Sequence, residues 1–178
     1  FLMILIDTDV CIEILRGNKK VINKRNKFEE PISISFMTVA ELFYGAENSG
    51  NPEHNHSIVE EFLLTLQIIE SDYHIMKRFG LIKAKLKKKN NLVPDADLII
   101  AATAMEKCEF LVTGNIGVVE KLIMMNNSLS VSSSGSREVA NSVSETMALS
   151  TCSSRLSQIW MLLLELTANF STTLIKIH

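Results

Sequence analysis

The stretch MILIDTDVCIEIL, residues 3–15, places a run of apolar residues directly before two acidic ones. Met3 to Ile6 have the short, apolar and β-branched character of a buried strand. Asp7 and Asp9 follow where a helical pattern begins, and that pattern ends at Gly17, a residue suited to the left-handed position after a helix. A buried strand that leads into a helix is typical of a parallel sheet covered by helices.

The same alternation continues along the chain and predicts an α/β fold. Further strands are predicted for PISISFM (31–37), LQIIE (66–70) and EFLVT (109–113). Helices are predicted to begin at Thr38 and near Asp95, and a long amphipathic helix with a lysine-rich end is predicted for residues 73–90. We therefore expect a central parallel sheet flanked by helices.

The composition is that of a folded chain with one sizeable domain. The 178 residues are 47% hydrophobic, which excludes wholesale disorder, and the net charge of −2 gives no global signal for nucleic acid. The three cysteines, Cys11, Cys108 and Cys152, form no CxxC pair, which indicates a reducing, cytoplasmic setting. The apolar stretch at 159–166 is too short to span a bilayer.

The character of the chain changes near residue 127. Residues 128–178 contain thirteen serines but only three basic and three acidic residues. We therefore predict a folded domain at residues 1–127 and a serine-rich, flexible or loosely packed tail at residues 128–178.

Acidic and polar residues follow the predicted strands at one kind of place. They are Asp7, Asp9, Glu41, Asp97, Thr113 and Asn115. Because the carboxyl ends of parallel strands share one edge of a sheet, where ligands bind, we expect these side chains to converge.

Each acid also has a structural interpretation. Asp9 and Asp95 resemble helix N-caps, and Glu41 stands three residues after Thr38, which is capping-box spacing. Yet two carboxylates about 4 Å apart repel by about 4 kcal/mol at an effective dielectric constant near 20. Acids gathered at one edge therefore favour a divalent cation, and oxygen-only ligands suit Mg²⁺ or Mn²⁺.

Four segments carry a resemblance to a known family: LIDTDVCIEIL (5–15), ISFMTVAELFYGA (34–46), PDADLIIAATA (94–104) and FLVTGN (110–115). In that order and spacing they resemble PIN-domain ribonucleases, specifically the VapC-type toxins of bacterial toxin–antitoxin pairs, over about residues 3–122. The resemblance implies a PIN-like fold with catalytic, metal-binding acids at Asp7, Glu41 and Asp97. Nearby supporting residues would be Thr8, Asp9, Asp95, Thr113 and Asn115.

The resemblance also implies a chemistry and partners. Mg²⁺, or Mn²⁺ in its place, would activate a water that attacks an RNA phosphate and leaves a 5′-phosphate and a 3′-hydroxyl. Transfer RNA is the commonest target among such proteins, a VapB-type antitoxin is the expected partner, and a homodimer is the expected assembly.

Basic residues offer contacts to RNA phosphates. The candidates are Arg16, Lys19, Lys20, Lys24, Arg25, Lys85, Lys87, Lys88 and Lys89. The alternative for each is an ordinary solvated surface.

Two other functions remain open at this stage. The segment ILIDTDVC resembles the opening motif of haloacid-dehalogenase-type phosphatases, in which Asp7 would be the nucleophile and Asp9 the general acid. Alternatively, the chain is a catalytically degenerate PIN-fold protein that only binds its antitoxin or RNA.

Overall fold

The computed structural model describes residues 3–26, 30–123, 129–133 and 173–177, with only the backbone of Lys24, Ile116, Ile123 and the last two ranges. Its strands are β1 (Ile4–Ile6), β2 (Ile32–Ser35), β3 (Gln67–Ile69), β4 (Phe110–Thr113), β5 (Leu129–Ser133) and β6 (Thr173–Ile177). Its helices are α1 (Thr8–Leu15), α2 (Lys19–Arg25), α3 (Phe36–Glu47), α4 (Pro52–Leu63), α5 (Tyr73–Lys88), α6 (Asp95–Lys107) and α7 (Ile116–Ile123). None of the described helices is long and apolar enough to cross a membrane.

The strands form one sheet in the order β3-β2-β1-β4-β6-β5. The first four are parallel, and in their register Ile4 pairs with Ile32 on one side and with Phe110 on the other. The Asp7 N–H donates to the Val112 carbonyl at 2.9 Å, which continues the ladder one residue beyond β1. The carboxyl ends of β1, β2 and β4 therefore meet at one edge, as predicted.

Apolar side chains cover the sheet on both faces. Ile4 and Ile6 pack in one cluster with residues of α1 to α4, whereas Leu5 packs in a second cluster with residues of α5, α6 and α7. This alternation follows from the two-residue period of a strand. The predicted parallel sheet between helical layers is confirmed.

Two helices begin at other residues than the local patterns indicate. Asp7, not Asp9, is the N-cap of α1, and α3 begins at Phe36 instead of Thr38. The Ser35 hydroxyl accepts a hydrogen bond from the Thr38 N–H at 3.0 Å, so Ser35 is the cap. The capping-box interpretation of Glu41 is therefore wrong, because the chain turns into the helix as soon as β2 ends at Ser35.

The start of α6 also differs from the N-cap interpretation of Asp95. Pro94 occupies the N-cap position without a side-chain hydrogen bond, and Asp95 is the first residue of the helix. A proline is tolerated there because the first N–H groups of a helix have no partner within it.

Helices α5 and α6 form an antiparallel pair that is linked by three salt bridges. The pairs are Lys83–Asp95 at 2.6 Å, Arg78–Glu106 at 2.5 Å, and Lys107–Asp72. Lys83 of α5 therefore lies beside the first turn of α6, and the N-cap of α5 lies beside the last residue of α6.

The sheet continues beyond the boundary predicted at residue 127. Strand β6 pairs antiparallel with β4, with Phe110 opposite Lys176 and Thr113 opposite Thr173, and β5 pairs with β6. This pairing supplies partners for the edge of β4, which would otherwise present unpaired N–H and C=O groups. The other residues of the predicted loose tail lie outside the described ranges, so for them the loose tail stays a prediction.

Candidate active site

Asp7 is a buried carboxylate at the end of β1. Its Oδ1 accepts from the Thr8 N–H at 2.7 Å, and its Oδ2 accepts from the Thr113 hydroxyl at 2.5 Å. Burial raises the pKa of Asp7 to about 6, these two hydrogen bonds oppose the shift, and the charges of Asp9 and Asp97 add to it. Asp7 is therefore held in one orientation at a high electrostatic cost.

Glu41 reaches the same region from the second turn of α3. The Thr8 hydroxyl donates to Glu41 Oε2 at 2.5 Å, which links the first residue of α1 to α3. Since Ser35 already caps α3, Glu41 has no capping role, and its carboxylate is directed to the acidic edge instead.

Asp97 lies in the first turn of α6 and is half-buried. The Asn115 side-chain amide donates to Asp97 Oδ2 at 3.3 Å, and the Asn115 N–H donates to the Thr113 hydroxyl at 3.0 Å. Burial raises the pKa of Asp97, and the charges of Glu41 and Asp9 raise it further. The turn after β4 thus connects Asp97 to the hydroxyl that holds Asp7.

Asp9 approaches the turn after β4 at Gly114, a residue that the sequence analysis did not single out. A Cβ atom at position 114 would lie 3.3 Å from Asp9 Oδ2, closer than side chains ordinarily pack. Glycine thus gives Asp9 room beside the backbone. Its only signal in the sequence is its place in the segment FLVTGN.

The predicted site residues divide into two groups. The structure brings Asp7, Thr8, Asp9, Glu41, Asp97, Thr113 and Asn115 together through the hydrogen bonds and electrostatic interactions above. Asp95, in contrast, is mostly exposed, and its carboxylate pairs with Lys83 of α5.

The donor set suits a hard divalent cation. All the acidic donors are carboxylates. Burial, and in addition the charges of neighbouring acids, raise the pKa values of Asp7 and Asp97, and a bound cation would offset both effects. The neighbouring Cys11 is buried, and burial raises the pKa of its thiol, so it is not available as a thiolate ligand. Among the described residues, no three His, Cys, Asp or Glu side chains are already assembled into a metal-binding group.

The basic candidates lie in two places. Lys85, Lys87, Lys88 and Lys89 are exposed at the end of α5, after Lys83, which pairs with Asp95 at the start of α6. Arg16 pairs with Glu13 at 3.2 Å, and Lys19, Lys20 and Arg25 belong to α2, beyond the far end of α1. The side chain of Lys24 lies outside the described part.

A cleft of about 370 Å³ adjoins the acidic edge between α1, α3 and α4. Its walls are largely apolar, and its polar lining consists of Glu41, Arg16 and Asn55. Glu41 therefore faces both the carboxylate cluster and this cleft.

Comparison with known proteins identifies the class to which this fold and site belong. The sequence profile of the PIN domain matches residues 4–118, and the chain belongs to the PIN-domain family. It is 34% identical over 122 residues to Ribonuclease VapC2 of Haemophilus influenzae, a match that covers 68% of this chain and 92% of that protein. It is 33% identical, with the same coverage, to the tRNA(fMet)-specific endonuclease VapC of Salmonella typhimurium.

Solved structures agree with this assignment. The complex VapBC2 from Rickettsia felis, bound to a DNA fragment from its promoter, aligns with a TM-score of 0.63 at 27% identity and covers 67% of this chain and 92% of the matched one. DNA-bound VapBC from Salmonella typhimurium aligns with a TM-score of 0.57 at 31% identity over 60% and 82% of the two chains. The predicted PIN-like α/β fold, the VapC resemblance and the prediction of a ribonuclease are confirmed.

The phosphatase alternative is not supported. The chain belongs to a different family, and Asp7, the nucleophile of that alternative, caps α1 and accepts hydrogen bonds on both oxygens.

Proposed function

We propose that this chain is a Mg²⁺-dependent endoribonuclease, with Mn²⁺ able to replace Mg²⁺, and the toxin of a type II toxin–antitoxin pair. One observation carries the proposal: Asp7, Glu41 and Asp97 come from three separate elements and interact at one edge of the sheet. The repulsion among them is the electrostatic cost expected of a site that binds a cation.

Asp7, Glu41 and Asp97 would hold the ion. When bound, a divalent cation lowers the pKa of water and stabilises negative charge on phosphate and leaving oxygens. Thr113 and Thr8 each donate to one oxygen of a carboxylate and so restrict the rotation of Asp7 and Glu41. Asn115 does the same for Asp97, which leaves the set preorganised for ligand binding.

Charge removal at Asp97 tests the proposal. Asp97→Asn should lower RNA cleavage in Mg²⁺ at least about 100-fold, since even outer-shell changes at metal sites cost about 10- to 100-fold. It should also weaken Mg²⁺ binding measured by calorimetry. Glu106→Gln is the matched control, because Glu106 lies on the same helix but pairs with Arg78 at the other end.

The outcomes separate the enzyme from its degenerate alternative. Cleavage by Asp97→Asn at the wild-type rate would refute the assignment of the site. If the unchanged chain binds Mg²⁺ and RNA but never cleaves, it is the catalytically degenerate PIN-fold protein.

Transfer RNA is the substrate class that we propose. Two similar proteins, from Salmonella typhimurium and Shigella flexneri, are named tRNA(fMet)-specific endonucleases. Cleavage of initiator tRNA should then be compared with cleavage of an elongator tRNA and of an unstructured RNA of equal length. Equal rates on all three would exclude tRNA specificity.

A VapB-type antitoxin is the proposed partner, and the structural neighbours are VapBC complexes. An amphipathic helix fits an apolar groove, and the cleft beside Glu41 has that character. Ile58→Glu on the cleft wall should abolish copurification with a coexpressed antitoxin while RNA cleavage persists. Retained copurification would place the antitoxin elsewhere.

We further propose a homodimer that acts in the cytoplasm. The two described cysteines, Cys11 and Cys108, are buried free thiols, as expected in a reducing compartment. Light scattering of the purified chain tests the assembly, and a monomeric mass at micromolar concentration would exclude a stable dimer.

A further inference from the structure

Helix α3 carries an aromatic side chain that the described structure leaves unpartnered. Tyr44 is 71% exposed. Within the described ranges its ring contacts no other aromatic ring, and its hydroxyl has no hydrogen-bond partner. A large ring held in water on a regular helix is available to bind a flat apolar surface.

The helical period places Tyr44 beside the carboxylates. Met37, Glu41 and Tyr44 are spaced i, i+4 and i+7, so they form one stripe along α3. Met37 packs against the apolar cluster that includes residues of α6, and the Glu41 charge acts on Asp97 of α6. The stripe therefore faces the acidic site, and Tyr44 is its outermost member.

The direction of helical side chains strengthens this placement. Side chains of an α-helix lean toward its N-terminus, so Tyr44 leans over the turn that carries Glu41. The Cβ atoms of residues three apart on a helix are about 5–6 Å from each other. The ring of Tyr44 thus stands at the rim of the site where an RNA phosphate would be cleaved.

RNA offers a surface that matches this ring. The carboxylates can hold a cation near a phosphate but have no face on which a base can stack. Exposed aromatic side chains bind unpaired nucleobases by stacking, and this mode tolerates any base. The lysine-rich end of α5 offers charge for the RNA backbone.

We propose that Tyr44 stacks on an unpaired nucleobase adjacent to the scissile phosphate of the RNA. The inference rests on the proposed function, since it requires RNA at the carboxylate site. It assigns to α3 a contact with the substrate in addition to the proposed metal ligand Glu41.

The chain provides a matched control in its other tyrosine. Tyr73 is 73% exposed and is likewise on a helix, where its ring meets His74 edge-on. Its neighbour Asp72 pairs with Lys107 at the end of α6 opposite to Asp97. Ten helical residues, about 15 Å along the axis, separate these two ends of α6.

The test uses the full chain with Asp97→Asn, so that RNA is bound and not cleaved. Binding of single-stranded RNA that contains 2-aminopurine is followed by anisotropy and by quenching of the stacked base. Y44A should weaken binding roughly 5- to 100-fold and remove the quenching. Y44F, which keeps the ring, should bind within about twofold, and Y73A should leave both signals unchanged.

Kinetics in the cleaving chain give a second readout. Loss of a contact that is made equally in the ground and transition states raises KM with little change in kcat, and Y44A should behave in this way. Since Tyr44 is exposed, Y44A should unfold at the wild-type temperature, and circular dichroism checks this.

Several results would overturn the inference. RNA binding by Y44A equal to that by Y73A would exclude stacking, and a Y44F loss equal to that of Y44A would assign the effect to the hydroxyl. If Y44A loses a VapB-type antitoxin but not RNA, the ring belongs to a protein interface. If no variant binds RNA, the proposed function fails together with the inference. If the wild type cleaves RNA and Y44A binds RNA as tightly as the wild type does, only the stacking proposal is refuted.

Discussion

Asp7 couples the stability of the fold to pH. Its pKa is raised from the ordinary 3.8 to about 6, so the folded state binds a proton that the unfolded state has already lost between these values. The contribution of Asp7 to stability therefore increases as the pH falls from about 7 toward 4. The difference between the two pKa values corresponds to about 3 kcal/mol.

We predict that Asp7→Asn raises the stability of the metal-free protein at pH 7 and flattens this pH dependence. The neutral amide avoids both the burial cost of the charge and the repulsion by Asp9 and Asp97. Urea unfolding in EDTA between pH 4.5 and 7.5 measures both effects. Identical pH slopes for the wild type and Asp7→Asn would show that Asp7 is not desolvated as described.

The absence of a Cβ atom at Gly114 leaves space for the side chain of Asp9. We predict that Gly114→Ala displaces Asp9, since the new Cβ would lie 3.3 Å from Asp9 Oδ2 and 3.4 Å from Asp9 Cβ. Mg²⁺ affinity should fall by about 10-fold, as for changes around other metal sites. Gly80→Ala on α5, where the added Cβ meets nothing within 4 Å, is the control. Unchanged affinity in Gly114→Ala would mean that Asp9 does not contribute to metal binding.

At the scale of the element, the N-cap of α3 and its proposed metal ligand are different residues, Ser35 and Glu41. We predict that Ser35→Ala lowers the free energy of unfolding by about 1 kcal/mol, because it removes the N-cap hydrogen bond. Glu41→Gln should retain stability, since its amide oxygen can still accept from Thr8, but should lose RNA cleavage. Chemical unfolding and a cleavage assay distinguish the two changes, and a fold weakened by Glu41→Gln would restore a structural role.

The end of α5 is predicted to contact RNA phosphates. Replacing Lys87 and Lys88 with Ala in an Asp97→Asn background should reduce the slope of log binding constant against log salt by about 1.4, or 0.7 per contact with single-stranded RNA. Lys77→Ala is the control, because Lys77 lies in the half of α5 that pairs with the far end of α6. An unchanged slope in the double variant would indicate a solvated helix end.

At the scale of the whole molecule, residues beyond 127 contribute to the sheet. A chain that ends at residue 127 loses β6, which pairs along all four residues of β4. We predict that this chain keeps the four parallel strands and its helical circular dichroism but melts several degrees lower and self-associates through the exposed edge of β4. A melting temperature equal to that of the full chain would mean that β6 adds nothing, and complete unfolding would mean that the domain includes these strands.

The order of elements was predictable because it depends on local patterns. Short apolar runs identified β1, β2 and β4, and the position of Gly17, with φ at +75°, agrees with the predicted helix end. The beginnings of helices were less predictable, since Ser35 and Thr38 are both good caps and only the end of β2 decides between them.

The strands at the C-terminus were missed for a different reason. The segments LSVSS and TLIKI are short, and the first is serine-rich, so neither stands out against its surroundings. Their pairing depends on the free edge of β4, which comes from a distant part of the chain.

The amino-acid sequence by itself determined the alternation of strands and helices and the presence of acids after strands. These properties depend on side-chain size, polarity and spacing within a few residues. Only the tertiary structure decided which acids meet: Glu41 accepts from Thr8, Asp95 pairs with α5, and Asp9 reaches the turn at Gly114. Such contacts join residues far apart in the chain, and their geometry depends on the register of the sheet and the packing of helices, which no local pattern contains.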